Sequence, residues 1–310
     1  MSTIAVLGAG SYGTALAIQL ARLGNDTRLW GRDAAQMQKL DADRVNAEYL
    51  PGCKFPPSLK PTADLRAALA GAEDVLIAVP SHALHPVLRV VAPLLKLEQG
   101  IISACKGLEP ETGKLVHEVV ESIVGTGHRF AVISGPTFAK EVGLGMPTAV
   151  TVASSDADYA EKVVHAMHGN GFRAYTSDDV IGVEVGGSVK NVLAIAVGIA
   201  DGLGLGANTR AGMITRGLAE ITRLGEAMGG NRDTFMGLAL AKGKTLAQAQ
   251  AEIRQVVEGV RVAPEVMRLA RKHHVDMPIS EQVVKVLAGE ITAIDAVRSL
   301  ATRPPRAEAG

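Results

Sequence analysis

The first 33 residues constrain this chain more than anything that follows. Thr3-Ile4-Ala5-Val6-Leu7 is a short apolar run with a β-branched bias, and Gly8-Ala9-Gly10-Ser11-Tyr12-Gly13 follows at once. Thr14 to Leu23 is then apolar at helical spacing through Leu16, Ala17, Leu20 and Leu23. Gly24 stops that helix, and Thr27-Arg28-Leu29-Trp30 reads as a second strand. Strand, glycine turn, helix and strand in this order open a parallel α/β sheet of the kind that holds a dinucleotide. Gly8 permits the tight turn out of the strand, Gly10 lets a pyrophosphate approach the backbone, and Gly13 lets the helix lie close to the sheet. The N–H groups at the helix start then face the phosphate charge.

The end of the second strand selects the cofactor. An acidic side chain there holds a ribose 2′-hydroxyl, and an arginine favours a 2′-phosphate. The chain offers Gly31-Arg32-Asp33, with Arg32 about 20 residues beyond the glycine turn, where the selector belongs. Arg32 comes first, so NADP(H) is favoured; Asp33 beside it keeps NAD(H) open.

Further strands follow. Asp74 to Val79 and Gly100 to Cys105 are unalternating apolar runs, as expected of strands covered on both faces. Phe130 to Ser134, Thr148 to Ala153 and Phe172 to Tyr175 read as three more. The stretch from Asp33 to Leu50 reads as polar and helical, and Tyr49-Leu50-Pro51 with Phe55-Pro56-Pro57 as an irregular link. Ligands of a parallel sheet sit at the carboxyl ends of its strands. Ser81, Lys106, Ser134, Gly135 and Thr137 all follow strands directly. A lysine at such an end suits a phosphate or a carbonyl, though a solvated strand-end charge has the same pattern.

After Asp179 no strand pattern remains. Val183 to Ile199, Ala211 to Met228, Leu246 to Val257, Pro264 to Lys272 and Ser280 to Leu287 read as helices, with a capping box at Thr245-Leu246-Ala247-Gln248 and a stop at Gly289. The fold class expected is therefore an α/β Rossmann-type dinucleotide domain, residues 1–181, followed by an all-α substrate domain, residues 182–310, with the active site in the cleft between them. Within the first long helix, Gly186-Gly187-Ser188-Val189-Lys190-Asn191 interrupts an apolar sequence. The two glycines cost about 2 kcal/mol of helix propensity relative to alanine, which makes sense where a ligand approaches the backbone. Desolvation and a neighbouring cation such as Lys106 would lower the pKa of Lys190 and make it a general base; a lysine snorkelling at a helix edge is the plainer alternative.

Composition narrows the partners. Lys plus Arg and Asp plus Glu both number 32, and aromatics are only 3%, so neither an extended basic face nor a base-stacking platform for nucleic acid is expected. Two cysteines, Cys53 and Cys105, without metal-ligand spacing suit a reducing, cytoplasmic setting and give no metal site. No apolar run reads as long enough to span a membrane, the most apolar part being Val192 to Ala200.

Several motifs together resemble the bacterial NAD(P)-dependent glycerol-3-phosphate dehydrogenases: the glycine turn, Val79-Pro80-Ser81-His82, Lys106-Gly107-Leu108, Ser134 through Glu141, Val189-Lys190-Asn191, Gly206-Ala207-Asn208, Thr215 through Glu220, and Val256-Val257-Glu258-Gly259. They run in order over nearly the whole chain. The resemblance implies reversible reduction of dihydroxyacetone phosphate to sn-glycerol 3-phosphate, a phospholipid precursor, with NADP(H) or NAD(H). It implies cofactor contacts at Ser11, Tyr12, Arg32, Lys106, Ala139, Val256 and Glu258, with Tyr49 a weaker one, beside Gly8, Gly10 and Gly13. Substrate contacts are implied at Lys106, Gly135, Thr137 and Lys190. Lys190 is the implied proton acceptor for alcohol oxidation and donor for ketone reduction, and Asn191 helps hold the substrate. A homodimer is left open.

One departure stands against the resemblance. After Thr234-Phe235-Met236-Gly237 the family carries a block with a Gly-Asp-Leu and a Ser-Arg-Asn-Arg run, whereas here Gly237 meets Leu238-Ala239-Leu240-Ala241-Lys242-Gly243-Lys244 directly. The family's active-site Asp and phosphate-binding Arg-Asn therefore have no counterpart. Two other readings follow: a non-catalytic NADPH-binding relative, and a reductase of another short hydroxy or keto acid. His82, His85, the His273-His274 pair and Cys105 are weaker rivals for catalytic chemistry.

Overall fold

The computed structural model describes residues 1–110, 112–235 and 253–303. The chain divides into two compact units, one of residues 1–109 and 114–184, the other of residues 110–113 and 185–310.

The first unit is built on one eight-stranded sheet: β1 (Thr3–Leu7), β2 (Asp26–Trp30), β3 (Leu59–Thr62), β4 (Asp74–Ile77), β5 (Gly100–Ser103), β6 (Phe130–Ser134), β7 (Thr148–Ala153) and β8 (Phe172–Ser177), in the order β3-β2-β1-β4-β5-β6-β7-β8. All neighbours are parallel except β6 and β7, which run antiparallel. The first six strands reverse order between β1 and β4, and that switch point is where an open α/β sheet places its ligand crevice. Because β7 is reversed, its carboxyl end and that of β8 lie at the opposite edge. The carboxyl ends of β1 to β6 make the ligand edge.

Successive residues of each strand point to opposite faces. Ile4, Val6, Leu76, Ile102, Ala131 and Ile133 pack beneath α1 (Ser11–Arg22) and α7 (Ala157–Met167). Ala5, Leu7, Val75, Ile77 and Ile101 pack beneath α4 (Ser81–Val91) and α5 (Val116–Val124). Covering both faces is what makes these strands read as continuous apolar runs.

The structure differs from the sequence expectations in several places. β3 lies just beyond the irregular link, in a stretch for which no element was read; Pro61 interrupts the strand pattern, and the sheet tolerates it because β3 is an edge strand. α2 (Ala34–Asp43) is shorter than the polar helix read to Leu50. Arg44 ends it in the left-handed region at φ 53°, and its guanidinium donates to the carbonyls of Pro56 and Leu59, each at 2.8 Å. Two short helices complete this unit, α3 (Leu65–Leu69), capped by Asp64, and α6 (Ala139–Leu144).

α8 (Val180–Gly202) starts in the first unit, where Val183 packs on Val132 and Ala153, and continues into the second. It is long and apolar enough to cross a membrane by length and composition, contrary to expectation, but 72% of its most apolar window is buried against protein. The second unit adds α9 (Gly206–Ala227), α10 (Ile253–Lys272), α11 (Pro278–Leu287) and α12 (Ala293–Ala301). α10 continues through Pro264, where the sequence suggested a new helix start. The flanking Val262, Ala263 and Val266 are fully buried, and that burial offsets the lost backbone bond. Gly217 lets α9 approach α8, since a Cβ there would lie 2.1 Å from Leu193 Cδ1. Glu220, buried on α9, accepts from the backbone N–H groups of Ile279 at 2.6 Å and Ser280 at 3.1 Å and so caps α11. The junction after Gly237, the capping box at Thr245 and most of the helix read from Leu246 lie outside the described residues.

Candidate active site

The three glycines of the turn divide their work as their surroundings dictate. Gly8 takes φ +119°, and a Cβ on it would sit 2.6 Å from the Ala78 carbonyl oxygen. A Cβ on Gly13 would sit 2.0 Å from the Gly8 oxygen, so the first turn of α1 can lie on the sheet only without one. A Cβ on Gly10 would meet nothing within 4 Å. Its backbone is open on the ligand side, at the N-cap of a helix that no side chain caps. This is a cradle that fits a pyrophosphate. Asn46, fully buried, holds it in shape: its amide donates to the Ala9 carbonyl at 3.0 Å and to Thr14 Oγ1 at 2.9 Å, and its oxygen accepts the Tyr49 N–H at 3.1 Å. The sequence carried no signal for Asn46, a single amide in a polar stretch. It ties Tyr49 to the turn, and Tyr49 is part-exposed.

At the end of β2 the two candidate selectors separate. Asp33 is the N-cap of α2, its Oδ1 accepting the Gln36 N–H at 3.0 Å. Arg32 is exposed beside it. One carboxylate oxygen of Asp33 is thus already engaged in capping, while Arg32 stays exposed.

At the ends of β5 and β6 three predicted residues meet. Lys106 Nζ donates to Thr137 Oγ1 at 3.2 Å, and Thr137 Oγ1 donates to Tyr12 Oη at 3.0 Å. Lys106 Nζ also lies 4.6 Å from the centre of the Tyr12 ring. Burial pushes the Tyr12 phenol up to about 12, against a smaller downward pull from the Thr137 hydrogen bond. Tyr12 therefore stays a neutral phenol at neutral pH. Gly135 is pressed on β7, where a Cβ would lie 2.6 Å from the Ala149 oxygen, and Thr137 N–H closes the turn on the Gly135 carbonyl at 3.0 Å. Ala139 begins α6 just beyond. Ser134, before Gly135, is buried, and its Oγ finds no hydrogen-bond partner among the described residues. Such an orphan costs about 1–3 kcal/mol.

In the second unit Lys190 is half-buried and Asn191 buried on α8. A Cβ on Gly259 would lie 2.9 Å from the Asn191 carbonyl oxygen, so α10 crosses α8 in backbone contact at that point. Val256 and Glu258 lie on α10 in the turn that carries Gly259. His273 and His274 follow the last turn of α10, Cys105 is buried with its thiol on the Ile77 carbonyl, and His82 and His85 lie on α4. No group of three or more metal-ligating side chains occurs among the described residues.

A switch-point sheet with an open glycine cradle, an exposed arginine after β2 and a lysine at the ligand edge defines a dinucleotide-binding protein with a second, helical unit. Residues 3–160 match the family described as NAD-dependent glycerol-3-phosphate dehydrogenase N-terminus. Residues 179–241 and 236–298 match its C-terminus, as two stretches that overlap. The chain belongs to this family. It is 49% identical to "Glycerol-3-phosphate dehydrogenase [NAD(P)+]" of Xanthomonas oryzae pv. oryzae (strain MAFF 311018), covering 98% of this chain and 96% of that protein. That alignment spans 327 positions, more than the 310 residues present here. The protein of the same name from Stenotrophomonas maltophilia (strain R551-3) is 48% identical over the same shares. Among solved structures, glycerol-3-phosphate dehydrogenase from Coxiella burnetii superposes with a TM-score of 0.88 at 42% identity, covering 97% of this chain and 99% of that one.

Proposed function

We propose that the chain catalyses reversible hydride transfer between NADPH, or NADH, and dihydroxyacetone phosphate, giving sn-glycerol 3-phosphate for phospholipid synthesis. The observation that carries this reading is the Lys106–Thr137–Tyr12 cluster at the ligand edge, beside a cradle that fits a pyrophosphate. A cation and two hydroxyls gathered at this edge support a phosphorylated ketone meeting the reacting end of a dinucleotide there.

Gly8, Gly10 and Gly13 with Ser11 hold the pyrophosphate, Arg32 holds the 2′-phosphate, and Tyr49, Ala139, Val256 and Glu258 complete the cofactor contacts. The reduced nicotinamide supplies the hydride. Lys106 polarises the substrate carbonyl, so that negative charge developing on oxygen meets a fixed cation. Gly135 and Thr137 orient the substrate, and Asn191 steadies it. Lys190 gives its proton to the carbonyl oxygen as the carbon–hydrogen bond forms, and takes it back when the alcohol is oxidised. The first unit, to about Ile181, then serves as the dinucleotide domain and the rest as the substrate domain. A dimer and a cytoplasmic setting belong to the same reading.

The two C-terminal matches that overlap at residues 236–241, and an alignment longer than the chain, support the reading that a block is missing after Gly237. A phosphate-binding arginine lost with it would weaken substrate binding by about 1.5–3 kcal/mol. The test is NADPH oxidation with dihydroxyacetone phosphate on intact chain, followed by absorbance. Turnover that falls by a factor of about 10²–10⁴ in Lys190→Met, with NADPH affinity kept, is expected. NADPH binding without turnover in the parent chain would instead favour the non-catalytic relative. Turnover of short keto acids alone would favour the other reductase.

A further inference from the structure

We propose that the Ser134 hydroxyl is a further substrate-binding group, one that hydrogen-bonds an oxygen of the phosphorylated ketone. This rests on the function proposed above.

Every other buried serine or threonine of the first unit has a hydrogen-bond partner. Thr27, Thr148 and Ser154 donate to backbone carbonyls, Ser103 accepts the Cys105 N–H, Thr14 accepts from Asn46, and Thr137 joins Lys106 to Tyr12. Ser134 Oγ alone in that set has none among the described residues, although Ser134 is only 7% exposed. A fold that satisfies its hydroxyls so consistently leaves one unmatched where a ligand completes it.

Its position says which ligand. Ser134 is the last residue of β6, at the same edge as the glycine turn, and leads through Gly135 and Pro136 to Thr137. β6 lies three strands from β1 in the sheet order. At roughly 4.8 Å per strand, it stands about 14 Å from the pyrophosphate cradle. Arg32, the 2′-phosphate selector, lies on the other side of β1, beyond β2. The phosphates and the adenosine of the cofactor are therefore remote, and what reaches β6 is the reacting end. The ketone brings carbonyl, hydroxyl and phosphate oxygens there, all acceptors for a serine donor. The close seating of Gly135 on the Ala149 carbonyl fixes the strand end, so the hydroxyl is presented in one place.

The test is Ser134→Ala in the full chain, with Ser134→Cys as a near-isosteric weaker donor. Ser134→Ala should raise KM for dihydroxyacetone phosphate about tenfold and leave KM for NADPH unchanged, with Ser134→Cys between it and the parent. The ligand-free melting temperature should hold or rise, because no internal hydrogen bond is lost. A second readout is the thermal shift produced by sn-glycerol 3-phosphate with NADP+, which should shrink in Ser134→Ala. A lowered melting temperature with unchanged KM would overturn the proposal in favour of a structural hydroxyl. A rise in KM for NADPH alone would overturn it in favour of a cofactor contact. A parent chain that neither turns over nor binds the phosphorylated substrate defeats the proposed function itself, whereas an active parent matched by Ser134→Ala defeats only this inference.

Discussion

The two edges of the eight-stranded sheet use the same side chains to opposite ends. At the amino edge, Lys162 Nζ lies 2.7 Å from Asp74 Oδ2, and Tyr159 Oη donates to Asp74 Oδ1 at 3.0 Å. Arg129 stacks over the Tyr159 ring at 5.0 Å. Gly100 leaves room for this cluster, because a Cβ there would sit 2.1 Å from the Tyr159 oxygen. Burial, and then the Asp74 charge, push the Tyr159 phenol far up. At the carboxyl edge, Lys106 and Tyr12 meet through Thr137, and Ser134 beside them lacks a partner among the described residues. A lysine and a tyrosine closed by a carboxylate fasten the sheet. A lysine and a tyrosine joined through a hydroxyl form a surface that a substrate can complete. The difference lies in Ser134: the Asp74 network closes on itself and rigidifies, whereas the carboxyl edge keeps one buried hydroxyl without a partner among the described residues.

Exchanging the two lysines in turn is the hardest test of that division. Lys106→Met should lower kcat/KM for dihydroxyacetone phosphate by a factor of about 10²–10³, the scale of losing an electrostatic stabiliser, with little change in melting temperature. Lys162→Met should do the reverse, leaving kinetics intact while stability falls. Equal kinetic losses in the two variants would dissolve the distinction. Next in size is Asp74→Ala, which removes the acceptor of both Tyr159 and Lys162. About 3 kcal/mol of unfolding free energy should disappear in urea titration, because a buried phenol and an ammonium lose their partner together. NADPH affinity of the folded fraction should be unchanged. A smaller effect is expected at Thr137. Replacing it by Val keeps the shape and cuts the Lys106-to-Tyr12 chain, and a neutral hydroxyl contact of about 0.5–1.5 kcal/mol corresponds to at most about tenfold in KM for the ketone. No rise in that KM would mean that Thr137 is packing rather than recognition.

Much of the carboxyl edge was legible in the sequence and almost none of the amino edge. Gly8, Gly10 and Gly13 announce themselves because each occupies a site that a Cβ would fill or block, and such constraints leave a fixed spacing. Lys106 and Thr137 were legible because they directly follow apolar runs, and a parallel sheet gathers such positions at one edge. Asp74, by contrast, opens a strand as any solvated aspartate would, and its partners lie 85 and 88 residues away at Tyr159 and Lys162, a pairing that only the fold creates. Asn46 was invisible for the same reason. β3 was missed because an edge strand can carry Pro61, which removes the pattern that would reveal it. Glu220 stood inside a recognised motif, yet its work is structural: it caps α11 from another helix.

A pair outside both networks gives the finest test of how charge is spent on holding the first unit together. His117, in the first turn of α5, donates its backbone N–H to Glu184 Oε1 at 3.0 Å, and its Nδ1 lies 2.7 Å from Glu184 Oε2. Burial alone would lower the imidazole, but the Glu184 hydrogen bond and charge, with Glu118 and Glu121 nearby, together outweigh it and hold His117 above its ordinary 6.5. A histidine whose folded pKa is raised adds stability that is complete below the unfolded value and disappears as pH climbs through the folded one. The melting temperature of the parent chain should therefore decline from pH 6.5 upward, and His117→Gln should flatten that decline while sitting lower on the acid side. The expected size is small, on the order of 1 kcal/mol across the window, because the imidazole is only partly buried and is screened by solvent. Identical pH profiles for the two proteins would show that the imidazole carries no stabilising charge.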